Sequence, residues 1–241
     1  MIRLDKYLAD MGVGTRTQVK DMLKKGLVTV DDIIVKDPGL KIDTTALSII
    51  KVSGEVISYS EYEYYMLNKP AGVITATSDK KQSTVMDLVK GNRKDMFPVG
   101  RLDKDTEGLL LITNDGDLAH ELLAPKKHVD KTYYAELLKD VSDNYIKEFS
   151  NGIVLKDGIK TMPAVLRILD KRRVELTIHE GKYHQVKRMF EATGNKVTYL
   201  KRLSMGSLTL DETLPLGGYR PLTENEINSL KAICNKKGTL Q

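Results

Sequence analysis

The sequence predicts an α+β fold in two parts: a small unit over residues 1–60 and a larger one over 61–241. Three observations predict it. β-rich runs dominate, with helical patterns scattered between them and no regular βαβ period, which favours a mixed, mostly antiparallel sheet flanked by helices. Ser58-Tyr59-Ser60-Glu61 is polar without apolar periodicity and reads as a linker. Ahead of it, two helical patterns followed by a hairpin signal make a self-contained α+β unit.

The elements follow in order. Ile2, Leu4, Leu8 and Met11 recur near helical spacing, so residues 3–11 are expected as a short amphipathic helix. Thr15 and Gln18 have capping-box spacing, and a second helix over 16–25 should bury Val19, Met22 and Leu23 before Gly26 stops it. Leu27–Val30 and Ile33–Val35 are strands joined at Asp31-Asp32, and Ile49–Val52 with Val56-Ile57 complete the unit. Tyr64–Leu67 opens the larger part as a strand that ends in the turn Asn68-Lys69-Pro70-Ala71-Gly72. Val73–Ala76 is expected as strand and Ser83–Val89 as a short helix. Val99 to Gly116 reads as strand, charged turn, apolar strand and second turn. A helix from Asp117 to Ala124 should be capped by Asp117 and stopped by Pro125. Thr132–Leu138 is a strand and 142–150 a helix. Val165–Leu169 and Val174–Ile178 are strands around the turn from Asp170 to Arg173. His184–Thr193 is a helix ended by Gly194; Val197–Leu200 and Ser207–Leu210 are strands; Glu224–Cys234 is a final helix capped by Thr223.

Composition narrows the function classes. The 41% hydrophobic content can build a core, yet no apolar run approaches the about 18 residues of a membrane helix. The first residues lack the apolar region of a secretory signal. Cys234 is the single cysteine, so an internal disulfide and a cysteine-based zinc site are both excluded. A cytoplasmic protein without a membrane partner is expected. The net charge of +5 is unevenly placed: residues 1–25 carry six Lys/Arg against three Asp, and 180–203 carry six against two acids. Two basic stretches suit an extended polyanion touching two places; two solvated faces are the alternative.

Arg16, Lys20 and Lys24 fall at i, i+4 and i+8, one helical ridge, which suits a phosphate backbone or else a solvated face. Asp103 sits where the first strand of the charged turn breaks, two residues after Arg101. The run from Asp103 to Gly108 resembles half a calcium loop, but position twelve is Asn114 where a glutamate is required. His179, Glu180 and His184 lack HExxH spacing, so no metal site is expected. Gly12-Val13-Gly14 has neither the preceding strand nor the third glycine of a dinucleotide fingerprint and reads as a turn. His184, Lys187 and Arg188 share a helix face that can neutralise a carboxylate or grip phosphate, or form structural ion pairs. Tyr133 is either core packing or a platform for an unstacked base.

Together these segments resemble one family, the bacterial ribosomal-RNA pseudouridine synthases of the RsuA type, over nearly the whole chain. Residues 1–60 resemble an S4 RNA-binding domain, with Asp31-Asp32 at a hairpin turn where Asn-Gly is more usual. Leu67 to Val73 resembles the first motif of the catalytic domain, and Gly100-Arg101-Leu102-Asp103 through Leu111 the motif that holds the catalytic aspartate. Lys131-Thr132-Tyr133 resembles the tyrosine motif, Glu180 to Met189 the segment supplying a basic partner, and Tyr219 to Thr223 the C-terminal signature. Lys187 stands where the wider superfamily usually has arginine, and His184-Gln185-Val186-Lys187-Arg188-Met189 looks like the small-subunit branch.

The resemblance implies isomerisation of a uridine to pseudouridine in 16S ribosomal RNA, free or in a small-subunit assembly particle, by a monomer without metal or cofactor. It assigns Asp103, Tyr133 and Lys187 to catalysis, with either Lys187 or Arg188 as the partner of Asp103. It assigns Arg3, Arg16, Lys20, Lys24, Arg101, His184 and Arg188 to RNA, and leaves Asp105 and Glu107 as turn or surface residues. The rivals are the same chemistry on 23S RNA and a non-catalytic S4-type RNA-binding or ribosome-assembly protein.

Overall fold

The computed structural model describes residues 1–91 and 93–236, without the side chains of 234–236, so the side chain of Cys234 lies outside the described residues. The chain divides into two compact units. One is Met1–Glu63 with Lys90–Met96; the other is Tyr64–Val89 with the chain from Phe97 onward.

In the first unit, β1 (Ile2–Arg3) runs into α1 (Leu4–Asp10), and α2 (Arg16–Lys24) follows. Both halves of the capping box form: Gln18 N–H donates to Thr15 Oγ1 at 3.3 Å, and Thr15 N–H to Gln18 Oε1 at 2.8 Å. The strands β2 (Val28–Val30), β3 (Ile33–Ile34), β4 (Lys41–Ile42), β5 (Ile50–Val52) and β6 (Glu55–Val56) complete the unit. β4 pairs with β1, and the others form a sheet in the order β3-β2-β5-β6. The hairpin turn between β2 and β3 places Asp31 and Asp32 at φ +51° and +64°. That is the left-handed pair a tight two-residue turn requires, reached here without Asn-Gly. Leu4, Leu8, Val19, Leu23, Val28 and Ile50 make the core. Arg93 is buried, pairs with Asp95 of its own segment at 2.6 Å, and joins Lys90–Met96 to the rest of this unit through Asp10 at 3.8 Å and the Ser60 carbonyl at 2.8 Å.

The second unit is built on β7 (Tyr64–Lys69), β8 (Phe97–Pro98), β9 (Glu107–Thr113), α3 (Gly116–Leu123), β10 (Lys131–Leu137), α4 (Asn144–Ser150), β11 (Val165–Ile168), β12 (Arg173–Ile178), α5 (Gln185–Ala192), β13 (Val197–Met205), β14 (Leu208–Thr209), β15 (Tyr219–Pro221) and α6 (Glu224–Lys236). The sheet order is β11-β12-β10-β13-β9-β7-β15, with β8 also on β9 and β14 on β13. Every pairing is antiparallel except β9 with β13. Leu118, Ala119 and Leu122 of α3 and Leu230 of α6 pack on Met66, Leu109, Leu111 and Met205 across one sheet face. Leu109–Ile112 is buried on both faces, which explains its unbroken apolar run. Thr223 and Glu226 form a capping box at α6, and Arg220 grips the Glu226 carboxylate at 2.8 Å.

Several local expectations are corrected. Val73–Ala76 is not a strand; it contributes one isolated bridge, Ile74 to Thr84. Ser83–Val89 is reduced to a 3-10 turn at Val85–Asp87 capped by Thr84. The strand before the charged turn lies at Phe97–Pro98, ahead of Val99. The cap of α3 is Asp115, whose carboxylate accepts from Leu118 N–H at 3.0 Å, because the helix begins one residue earlier than expected. β13 continues through Met205, where the polar residues Lys201, Arg202 and Ser204 masked a strand that is partly buried.

Candidate active site

One row of register partners crosses five strands of the larger sheet. Lys69 on β7 pairs with Gly108 on β9; Gly108 pairs with Arg202 on β13; Arg202 pairs with Tyr133 on β10; Tyr133 pairs with Leu176 on β12. Register partners point to the same face of a sheet, so this row supplies the base of a site. Gly108 has φ +99°, and a Cβ there would lie 2.3 Å from the Arg202 carbonyl oxygen. Only glycine allows the parallel strands to approach at that point.

Asp103 lies in the loop that leads into β9. The loop is held from below by Lys69, a fully buried side chain. Its Nζ donates to the carbonyls of Pro70 at 3.0 Å, Asp103 at 3.1 Å, Lys104 at 3.3 Å and Thr106 at 2.9 Å. Burial pushes Lys69 down to about 8, although the carboxylates of Asp105, Asp103 and Glu107 pull the other way. Thr75 Oγ1 adds a second anchor, donating to the Leu102 carbonyl at 2.7 Å.

The Asp103 carboxylate faces the N-terminal end of α5. Lys187 Nζ is 2.9 Å from Asp103 Oδ2 and 2.6 Å from Asp105 Oδ1, and His184 Nε2 is 3.4 Å from Asp103 Oδ1. Burial alone would lower Lys187, but the hydrogen bonds to Asp105 and Asp103 outweigh it and raise it. The same contact lowers Asp105. Arg188 points elsewhere, to Asp157 and to the Tyr183 carbonyl at 3.3 Å. The alternative left open by the sequence is therefore resolved geometrically: Lys187 faces Asp103 and Arg188 does not.

The segment before α5 has its own scaffold. Glu180 Oε1 accepts from Met162 N–H at 2.9 Å and from Gln185 Nε2 at 3.0 Å, while Gln185 Oε1 accepts from Lys182 N–H at 2.8 Å. His184 is left-handed, φ +48°, so the helix starts one residue later than expected. The Tyr183 and His184 rings stack at 3.8 Å, with Tyr183 74% exposed.

A pocket of about 790 Å³ lies over this arrangement, lined among others by Arg101, Asp103, Lys131, Tyr133, His184 and Arg202. Arg101 is exposed at its mouth, while Tyr133 is buried at 8%. A pocket of this size admits one nucleotide base with its sugar. The residues assigned to the first unit are placed as follows. Arg16, Lys20 and Lys24 are exposed along α2, opposite the buried Val19 and Leu23. Arg3 makes a two-point contact with the buried Asp5 carboxylate, at 3.0 Å from each nitrogen, so part of its charge is committed within the fold.

Sequence reasoning passed over four residues. Lys69 read as part of a turn, because Lys-Pro carries no sign of the carbonyls gathered from a loop 34 residues away. Asp105 is exposed in a turn as expected, but its carboxylate shares Lys187 with Asp103. Glu107 is half-buried and accepts from Tyr199 OH at 2.7 Å. Arg202 gave no sequence signal beyond its charge.

A carboxylate on a braced loop, a lysine against it and a buried tyrosine in a base-sized pocket, in a chain with a separate S4-like unit, define an RNA-modifying enzyme. Comparison with known proteins agrees. The family model described as RNA pseudouridylate synthase matches residues 63–192, and the S4 domain model matches 2–46. The chain belongs to the RNA pseudouridylate synthase family, an isomerase class. It is 48% identical to the uncharacterized RNA pseudouridine synthase YtzG of Bacillus subtilis, over 95% of this chain and 98% of the relative. It is 44% identical to the ribosomal small subunit pseudouridine synthase A of Vibrio cholerae, over 95% and 99%. It is 40% identical to the ribosomal large subunit pseudouridine synthase B of Bacillus subtilis, over 98% of each. A crystal structure of a pseudouridylate synthase superposes with a TM-score of 0.68 at 40% identity, covering 95% of this chain and all of that one.

Proposed function

We propose that this chain converts a uridine of 16S ribosomal RNA to pseudouridine, with Asp103 as the catalytic carboxylate. The observation that carries the reading is Asp103, 2.9 Å from Lys187, lining the pocket that Tyr133 also lines. The glycosidic bond of the target breaks, the base turns, and C5 joins C1′. Because the base must leave its stack, at a cost of a few kcal/mol, the enzyme has to receive it in a closed pocket. Tyr133 is the platform for the extruded ring. Lys187, by bridging Asp103 and Asp105, holds the Asp103 carboxylate in place. In this reading Arg101, His184 and Arg188 take the phosphates flanking the target, and Arg16, Lys20 and Lys24 of the S4 unit take a second stretch of backbone.

The small-subunit target is supported by the form of residues 184–189 and by the small-subunit relative of Vibrio cholerae at 44% identity. A 23S target is the second reading, favoured by the large-subunit relative of Bacillus subtilis at 40%. Incubation with 16S and 23S transcripts and with precursor particles of both subunits, followed by chemical mapping of pseudouridine, separates them. A new site in 16S RNA alone is the expected result. A site only in 23S RNA overturns the small-subunit target, and no site in any RNA overturns the substrate class.

A further inference from the structure

One buried cation of the pocket, Arg202, forms no ion pair among the described residues. Arg202 is 2% exposed and is one of the largest fully buried residues. Its Nε donates to the Leu109 carbonyl at 2.8 Å, while Nη2 is buried and has no partner among the described residues. Lys131 lies on the same sheet face, two residues along β10 from Tyr133, is 8% exposed, and donates to the Val129 carbonyl at 2.8 Å. Burial, and then the neighbouring Arg202 charge, lower Lys131 to about 8. A second polar atom of the pocket is orphaned among the described residues: the hydroxyl of Thr106, on the Asp103 loop. Buried polar groups are almost always bonded, and a buried guanidinium end without a partner is costly. Two such orphans in one pocket point to a ligand with oxygen atoms.

We propose that Arg202, with Lys131 beside it, receives a carbonyl oxygen of the target base and stabilises the negative charge the base takes on when its bond to the sugar breaks. The inference rests on the uridine reading above. Cleavage of C1′–N1 leaves the electron pair on the ring, which becomes an anion shared among N1, C5 and the two carbonyl oxygens; C1′ is left one pair short. When C5 bonds to C1′ the ring returns that pair. The C5 proton then leaves and N1 takes one up, so the sum is an isomerisation. A fixed cation aimed at an oxygen that gains charge only in mid-reaction accelerates that step and adds little to ground-state affinity.

Burial separates this role from phosphate binding. Arg101 and Lys104 are exposed and His184 and Arg188 half-buried, where an RNA backbone can reach them. Arg202 and Lys131 lie beside Tyr133 at the depth where the base itself must sit. The charge balance agrees: Lys187 is matched by Asp103 and Asp105, and Lys69 by its four carbonyls, whereas no carboxylate is paired with Arg202 or Lys131 among the ion pairs of the described residues.

The test compares single-turnover rate with RNA affinity for the full chain and four variants: Arg202→Gln, Arg202→Lys, Lys131→Met and Lys131→Arg. The neutral variants should lose about 100-fold or more in rate, the scale of removing one oxyanion donor. Their RNA affinity should stay within about three-fold, since the contact strengthens only in mid-reaction. The charge-keeping variants should recover a large part of the rate. Should Arg202→Gln not fold, Lys131→Met carries the test, because it removes a single hydrogen bond. Equal losses of rate and affinity would make the pair a phosphate contact and overturn the inference. So would neutral variants that turn over at the wild-type rate, or charge-keeping variants no better than the neutral ones. Wild-type chain inactive on both ribosomal RNAs would overturn the uridine reading, and this inference with it.

Discussion

Lys69→Met removes the ammonium that braces the Asp103 loop while keeping a side chain of similar length. Three N–H groups are shared among four carbonyls at 2.9–3.3 Å. Hydrogen bonds to a charged group contribute roughly 1.5–3 kcal/mol each, so their loss amounts to several kcal/mol. Against it stands the burial of the charge itself. The fall of Lys69 from 10.5 to about 8 corresponds to ~3 kcal/mol that the variant no longer spends. The balance is a destabilisation of ~3 kcal/mol at neutral pH, with the loss concentrated in residues 103–106. Displacing a catalytic carboxylate by about 1 Å can cost 100-fold in rate. Urea unfolding of the full chain and single-turnover conversion of RNA measure the two effects separately. A variant that unfolds at the wild-type midpoint would refute the bracing role. One that is destabilised but fully active per folded molecule would refute the link between the brace and Asp103.

Three further outcomes are expected. Gly108→Ala places a methyl 2.3 Å from the Arg202 carbonyl oxygen at φ +99°, and should cost about 2–4 kcal/mol in urea unfolding; a wild-type midpoint contradicts the close approach of β9 and β13. Lys69 and Lys131 both bind their protons less tightly folded, at about 8, than unfolded, at 10.5. Between those values the unfolded chain holds more protons, so unfolding free energy should rise with pH by up to ~1.4 kcal/mol per unit for each lysine. Lys131→Met should remove one lysine's share of that slope, and an unchanged slope between pH 8 and 10 contradicts the burial of its charge. Arg16, Lys20 and Lys24 changed together to Ala should weaken RNA binding and reduce its log–log salt slope by about 2–3; an unchanged slope removes α2 from the interface.

Local signals in the sequence carried much of this fold. The Thr15–Gln18 capping box, the Asp31-Asp32 turn and the apolar run Leu109–Ile112 each state their structure within a few residues, because caps, turns and buried strands are short-range devices. Asp103 and Tyr133 were legible as site candidates through the motifs around them. Contacts that close over long sequence separations were not. The Lys187–Asp103 pair spans α5 and the β9 loop, and from sequence Arg188 was as good a partner. The position of Asp105 in a charged turn says nothing of a helix 82 residues later. Arg202 hid the second half of β13, since a charged residue inside a strand reads as surface until the neighbouring strands cover it. The tertiary structure, and not local pattern, makes these residues part of a pocket.

The account stands on Asp103 as the group that acts on the uridine. Asp103→Asn keeps the size of the side chain and removes its charge. With ribosomal RNA as substrate, the variant should form no detectable pseudouridine at enzyme excess while its RNA affinity stays within a few-fold of wild type. Product formation by Asp103→Asn at the wild-type rate would contradict the account.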